Sequence, residues 1–132
     1  MRPPEEIRRE HMDQWLARAN EDFELAGHLV SENSPYLNAI CFHAQQAAEK
    51  YLKAFLVYKQ VEFPKTHDLV KILDLIATVN RPLAESLHDV KGLSNYGVDI
   101  RYPGDLPEIS NEDARQALKL AEKARDAITS AL

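Results

Sequence analysis

Cysteine is almost absent: Cys41 stands alone among 132 residues, so no internal disulfide can form. Its place inside an apolar run makes it a small buried hydrophobe in a reducing compartment. Glycine is scarce as well, with four residues, and no Gly-rich loop of the kind that cradles phosphates is found among them. No uninterrupted apolar run approaches the roughly 20 residues needed to span a bilayer. The opening Met1–Arg2–Pro3–Pro4–Glu5–Glu6 runs straight into charge and lacks the apolar core of a signal peptide. These absences point to the cytoplasm and away from a membrane. No pair of alternating segments marks a strand hairpin.

At 45% hydrophobic, the chain fits a single globular domain over residues 1–132, with residues 1–10 expected to fray. The net charge is −5, unevenly spread. Residues 1–34 hold four basic and eight acidic side chains, whereas residues 50–71 set Lys50, Lys53, Lys59, Lys65 and Lys71 against Glu62 and Asp68. An acidic protein is repelled at long range by nucleic acid. Any RNA or nucleotide contact therefore needs a local basic patch, and residues 50–71 supply the best one. The same lysines, taken singly, also suit a solvated surface.

Helical periodicity dominates the chain. Trp15, Ala19, Phe23, Ala26 and Val30 repeat at three- and four-residue steps, which predicts a first helix from Glu6 or His11 to Ser31. Ser34 and Pro35 suit the N-cap and first position of a second helix running to about Lys59. Leu37, Ile40, Ala44, Ala48, Tyr51 and Phe55 make its inner stripe. Phe42 and Leu56 fall off that stripe, so this helix is apolar on more than one side and belongs in a bundle centre or a dimer interface. His43, Gln46 and Lys50 form a polar strip along its flank. Thr66 is expected to cap a third helix from His67 to about Val79. Asn80–Arg81–Pro82 marks a fourth, with Leu83, Leu87 and Val90 inward and Tyr96–Tyr102 as its frayed end. After the loop Pro103–Pro107, Ser110 and Asp113 form a capping box for a last helix ending near Ala131. The fold class is all-α, an up-and-down four- or five-helix bundle.

Glu85–Ser86–Leu87–His88 has the Glu-x-x-His spacing of di-metal bundles, but those sites need two such motifs and two further glutamates. One motif is present here, so neither a metal nor a cofactor is expected. His43 has two readings. Beside Gln46 and Lys50 it could bind a phosphate or base edge, or act as a general acid–base. Alternatively, it ties the second helix to a neighbour by one hydrogen bond. His67 fits a first-turn residue whose ring packs on the loop. Arg101 offers a rigid fork for phosphate, and Tyr102 a ring that stacks on a base. The same pair would serve as a loop anchor, with Arg101 held by Asp99 or Asp105.

Phe42–His43–Ala44–Gln45–Gln46–Ala47–Ala48–Glu49–Lys50–Tyr51–Leu52–Lys53–Ala54, followed by His67–Asp68–Leu69 and Arg101–Tyr102–Pro103–Gly104, resembles the HEPN domain family from Trp15 to the end. The likeness is to the short branch with an Arg-Tyr-Pro signature, akin to the substrate-binding subunits of nucleotidyltransferases. The resemblance implies a homodimeric helical bundle that binds a nucleotide or RNA and works with a minimal nucleotidyltransferase in a toxin–antitoxin module. The contact set would be Arg101, Tyr102, His43, Lys50, Gln46 and His67. Active family members are metal-independent RNases with Arg-x(4–6)-His at the start of the last long helix. Arg101 stands about where that arginine belongs, yet residues 102–132 contain no histidine. No catalytic residue is therefore assigned. Arg81 and His88 meet the spacing by count, but in the fourth helix. A protein-binding helical adaptor without nucleotide affinity and an RNase toxin stand as alternatives.

Overall fold

A computed structural model of the chain describes residues 3–96 and 108–132. Its elements are α1 (Pro4–Ser31), α2 (Leu37–Tyr58), α3 (Leu69–Ala77), α4 (Arg81–Ser86), a 3₁₀ helix (His88–Tyr96) and α5 (Asn111–Ala131). The expected all-helical bundle is therefore what forms. Among the described residues no helix is long and apolar enough to cross a membrane.

Helix α2 is the axis. It packs along α1 and α5 and also touches α3 and the 3₁₀ helix. Thirteen of its residues are buried, including Ile40, Tyr51, Leu52, Phe55 and Leu56. Burying a side chain of that size contributes about 1.5–3 kcal/mol. Alanines make the close approach possible: Ala19 and Ala26 on α1, Ala44, Ala47 and Ala48 on α2, and Ala117, Ala121 and Ala124 on α5 are all buried.

Several boundaries differ from expectation, each for a local reason. Helix α1 begins at Pro4, with Pro3 as its N-cap, so the charged start joins the helix instead of preceding it. At the second start Ser34 does not cap α2. Its Oγ accepts from the Tyr36 amide at 3.1 Å and closes a turn, and α2 begins two residues after Pro35. At the third, Thr66 Oγ1 accepts from the Asp68 amide at 3.1 Å, and the Asp68 carboxylate accepts from Val70 N at 2.9 Å. Asp68, not Thr66, is the cap, and His67 lies outside α3. Asn80 and the Ser110–Asp113 capping box behave as expected.

The fourth helix does not run on as an α-helix. After Ser86 the chain tightens to a 3₁₀ helix, because Leu87, Val90 and Leu93 are spaced by three, with Tyr96 next in line. A helix of three residues per turn sets such positions in one row. Leu87, Val90 and Leu93 are fully buried, and Tyr96 packs on the core from its rim. The expected frayed end at Gly97–Tyr102 and the loop Pro103–Pro107 lie outside the described residues.

Candidate functional site

The side of α2 turned away from its apolar stripe carries His43, Gln45, Gln46, Glu49, Lys50 and Lys53 within less than half the helix circumference. Two carboxylates organise this face. Asp22 of α1 lies under its first edge: Oδ1 accepts from His43 Nδ1 at 2.9 Å, and Oδ2 accepts from Lys50 Nζ. The Asp22 side chain is 13% exposed, against 27% for His43 and 22% for Lys50. The trio is sheltered but reachable.

Glu49 organises the other edge. Its side chain is 3% exposed and meets Lys53 Nζ at 3.0 Å, Gln45 Nε2 at 3.1 Å and His67 Nδ1 at 2.9 Å. Gln46 donates to Gln45 Oε1 at 2.7 Å, so a hydrogen-bonded chain crosses the face from its middle to His67. Lys53 lies 5.6 Å from the Trp15 ring centre and 5.7 Å from that of Phe63, so aromatic faces replace part of its lost hydration. Burial of a charge is tolerated only when it is paired and hydrogen-bonded, as here.

The geometry has a chemical consequence. A carboxylate only accepts, so each histidine must place its proton on Nδ1, which leaves Nε2 as the free ring atom. His43 and His67 thus each hold a proton on Nδ1 against a carboxylate and turn Nε2 away from it, the arrangement that orients a catalytic or ligand-binding imidazole. The lysines are not free cations: Asp22 answers Lys50, and Glu49 answers Lys53.

Of the six expected contact residues, four are placed. His43 and Lys50 are brought together on one carboxylate. Gln46 joins them to the Glu49 network, and His67 reaches back from its loop to α2 instead of packing on the loop itself. Arg101 and Tyr102 lie outside the described residues. Asp22, Gln45 and Glu49 were not anticipated, and Lys53 only as one of the lysines of the basic stretch 50–71. The Glu49–Lys53 pair carried a signal, since opposite charges four apart on a helix are neighbours. Asp22 carried none, because it is 21 residues from His43 and meets it only through the α1–α2 packing.

Arg81 and His88 also come together, elsewhere. With Asp74, Glu85 and Lys91 they line a cavity of about 590 Å³ between α3 and the α4–3₁₀ segment. Among the described residues no group of three or more His, Cys, Asp or Glu is arranged to hold a metal ion.

Residues 12–130 match the family model of the HEPN domain. The chain is 27% identical over 128 residues to a protein of Methanocaldococcus jannaschii named "Putative toxin MJ1304", covering 86% of this chain and 83% of that one. The structure of ST0689, an archaeal HEPN homologue, superposes with a TM-score of 0.67 at 22% identity, covering 91% of this chain and 96% of the other. That of TT1696 from Thermus thermophilus gives 0.68 at 27%, covering 92% and 98%.

Proposed function

The chain belongs to the HEPN domain family, and on that premise we propose that it is a toxin-type HEPN protein that binds a nucleotide or RNA on the polar face of α2. The observation that carries this is the pair of imidazoles held by buried carboxylates, His43 on Asp22 and His67 on Glu49, each with Nε2 left to meet a ligand. A purely structural hydrogen bond would be served as well by a neutral amide. Gln46 and Lys50 lie between them on the same face. The Methanocaldococcus relative, whose name is that of a toxin, supports the biological setting. The chain works as a homodimer with a minimal nucleotidyltransferase as its partner, and Arg101 and Tyr102 belong to the same contact set.

Titration of the full chain with AMP and with a short single-stranded RNA tests this. Binding that weakens steeply with salt is expected for a phosphate ligand. His43→Ala and Arg101→Ala should each reduce it at least tenfold with little change in melting temperature. Equal binding by both variants removes the site from this face.

A second reading, RNA cleavage without metal, draws on the same two imidazoles, because a fixed tautomer with free Nε2 suits proton transfer from a ribose hydroxyl. Incubation with RNA in EDTA, comparing wild type with His43→Ala, His67→Ala and His88→Ala, separates it from binding alone. Loss of cleavage in the His43 or His67 variant supports it. Loss confined to His88→Ala moves the chemistry to the second cavity, and an inert wild type ends the nuclease reading.

A further inference from the structure

The cavity between α3 and the α4–3₁₀ segment differs from the polar face of α2 in one respect: its charges are not spent on each other. Opposite charges close where other elements meet. Lys50 of α2 binds Asp22 of α1, and Lys123 of α5 meets Asp89 of the 3₁₀ helix at 2.9 Å. Around this cavity stand Arg81, His88 and Lys91 with Asp74 and Glu85. Among the described residues none of the five makes an ion pair or a side-chain hydrogen bond. Arg81 and Glu85 are one turn apart on α4, within reach of each other, and they remain open. Asn80 caps α4 through Leu83 N at 3.1 Å, so the helix end makes no demand on these side chains.

The floor is apolar, from Leu73 and Ala84, which are 2% and 8% exposed. The volume of about 590 Å³ lies inside the range of about 300–1,000 Å³ typical of small-molecule sites. The two signs of charge then define the ligand. Arg81 and Lys91 supply donors for a doubly charged phosphate, Arg81 as a fork, and His88 adds a ring nitrogen. Asp74 and Glu85 can only accept, so they call for hydroxyl or amine donors on the body of the same molecule. A bare anion would be repelled by the carboxylates. A neutral sugar would leave the cations unanswered.

We propose that this cavity binds a small phosphomonoester whose body carries hydroxyl or amine donors, with Arg81 and Lys91 on the phosphate and Asp74 and Glu85 on the donors. The site stands apart from the polar face of α2, and its fate does not depend on that face. A nucleoside monophosphate and a pentose phosphate share the required chemistry.

Calorimetric titration of the full chain with AMP, ribose 5-phosphate, ribose and inorganic phosphate tests it. AMP and ribose 5-phosphate are expected to bind, and ribose and inorganic phosphate to bind at least tenfold more weakly. Preference between the two phosphomonoesters identifies which source fits. In a His43→Ala background, which removes binding on α2, Arg81→Ala should weaken both at least tenfold and Glu85→Gln should weaken both severalfold. Arg81 and Glu85 are exposed, so both variants should keep the wild-type melting temperature. Three results overturn the proposal: no binding of either ester at millimolar concentration, binding by His43→Ala that survives the added Arg81→Ala, or inorganic phosphate binding as tightly as the esters. A His43→Ala variant that retains no binding of either ester assigns the ligand wholly to α2 and overturns it as well.

Discussion

Lys53 and Glu49, one turn apart on α2, form a 3.0 Å ion pair in which neither side chain is more than 7% exposed. Exposed pairs at this spacing contribute only a few tenths of a kcal/mol. Here the consequence lies in what remains when one partner is removed.

Replacing Glu49 with alanine leaves Lys53 charged and enclosed by Trp15 and Phe63, and frees Gln45 and His67 from their shared acceptor. The expected loss is about 3–5 kcal/mol. The double variant Glu49→Leu/Lys53→Met should recover most of it. Urea midpoints for the two single variants and the double variant measure this. Additive losses would mean that the pair is not a unit.

Tyr51 is fully buried and donates its hydroxyl to Asn20 Oδ1. Burial pushes this hydroxyl up from 10.0 to about 12, although the Arg125 guanidinium pulls the other way. The folded protein thus holds the proton more tightly than the unfolded chain does. Below pH 10 both forms are protonated and the contribution is complete; between about pH 10 and 12 the unfolded chain ionises first and stability falls. Tyr51→Phe should cost about 1 kcal/mol at pH 8, and the gap to wild type should narrow by pH 11. Chemical denaturation at the two pH values checks this, with the other four tyrosines common to both proteins.

Gln60 ends α2 in the left-handed region at φ 58°, where Val61 N reaches back to Leu56 O at 2.9 Å. This closes a Schellman motif. A left-handed side chain costs about 1–2 kcal/mol, and glycine returns about 0.4–1 kcal/mol of that through its freer unfolded state. Gln60→Gly should therefore gain about 0.5–1 kcal/mol, read as a higher melting temperature. Asn33 ends α1 in the same way at φ 54°. Asparagine tolerates that region better, so Asn33→Gly should gain less.

Gly27 lies inside α1, and a Cβ built there meets nothing within 4 Å. Gly27→Ala should stabilise the isolated chain by about 1 kcal/mol. Melting at low and high protein concentration extends the test. A gain that disappears at high concentration would place Gly27 against a second copy.

Periodicity alone made the bundle legible, because the apolar steps of α1, α2 and α5 are fixed by a helix repeat that needs no knowledge of neighbours. The capping box at Ser110 and the Asn80 start were legible for the same reason: capping is a bond between a side chain and its own next turn. Where several capping residues stood close together, as at Thr66–Asp68, composition could not choose among them. The structure chose by letting Thr66 serve Asp68 and Asp68 serve the helix. Leu83, Leu87 and Val90 fit an α-helical repeat, whereas Leu87, Val90, Leu93 and Tyr96 follow a period of three. Packing of all four residues on one side of the core shows why the tighter helix wins.

Residue order by itself settled an all-helical chain, its caps at Asn80 and Ser110, and a polar strip on the flank of α2. It could not settle what that strip touches, because a helix repeat describes one helix and says nothing about the next. Packing of α1 against α2 brought Asp22 under His43 and Lys50, and the turn before α3 brought His67 to Glu49. Only these long-range contacts decided that Lys50 is paired and that each imidazole faces a carboxylate through Nδ1. Electrostatics depends on distance in space, and that distance exists only once the helices have packed.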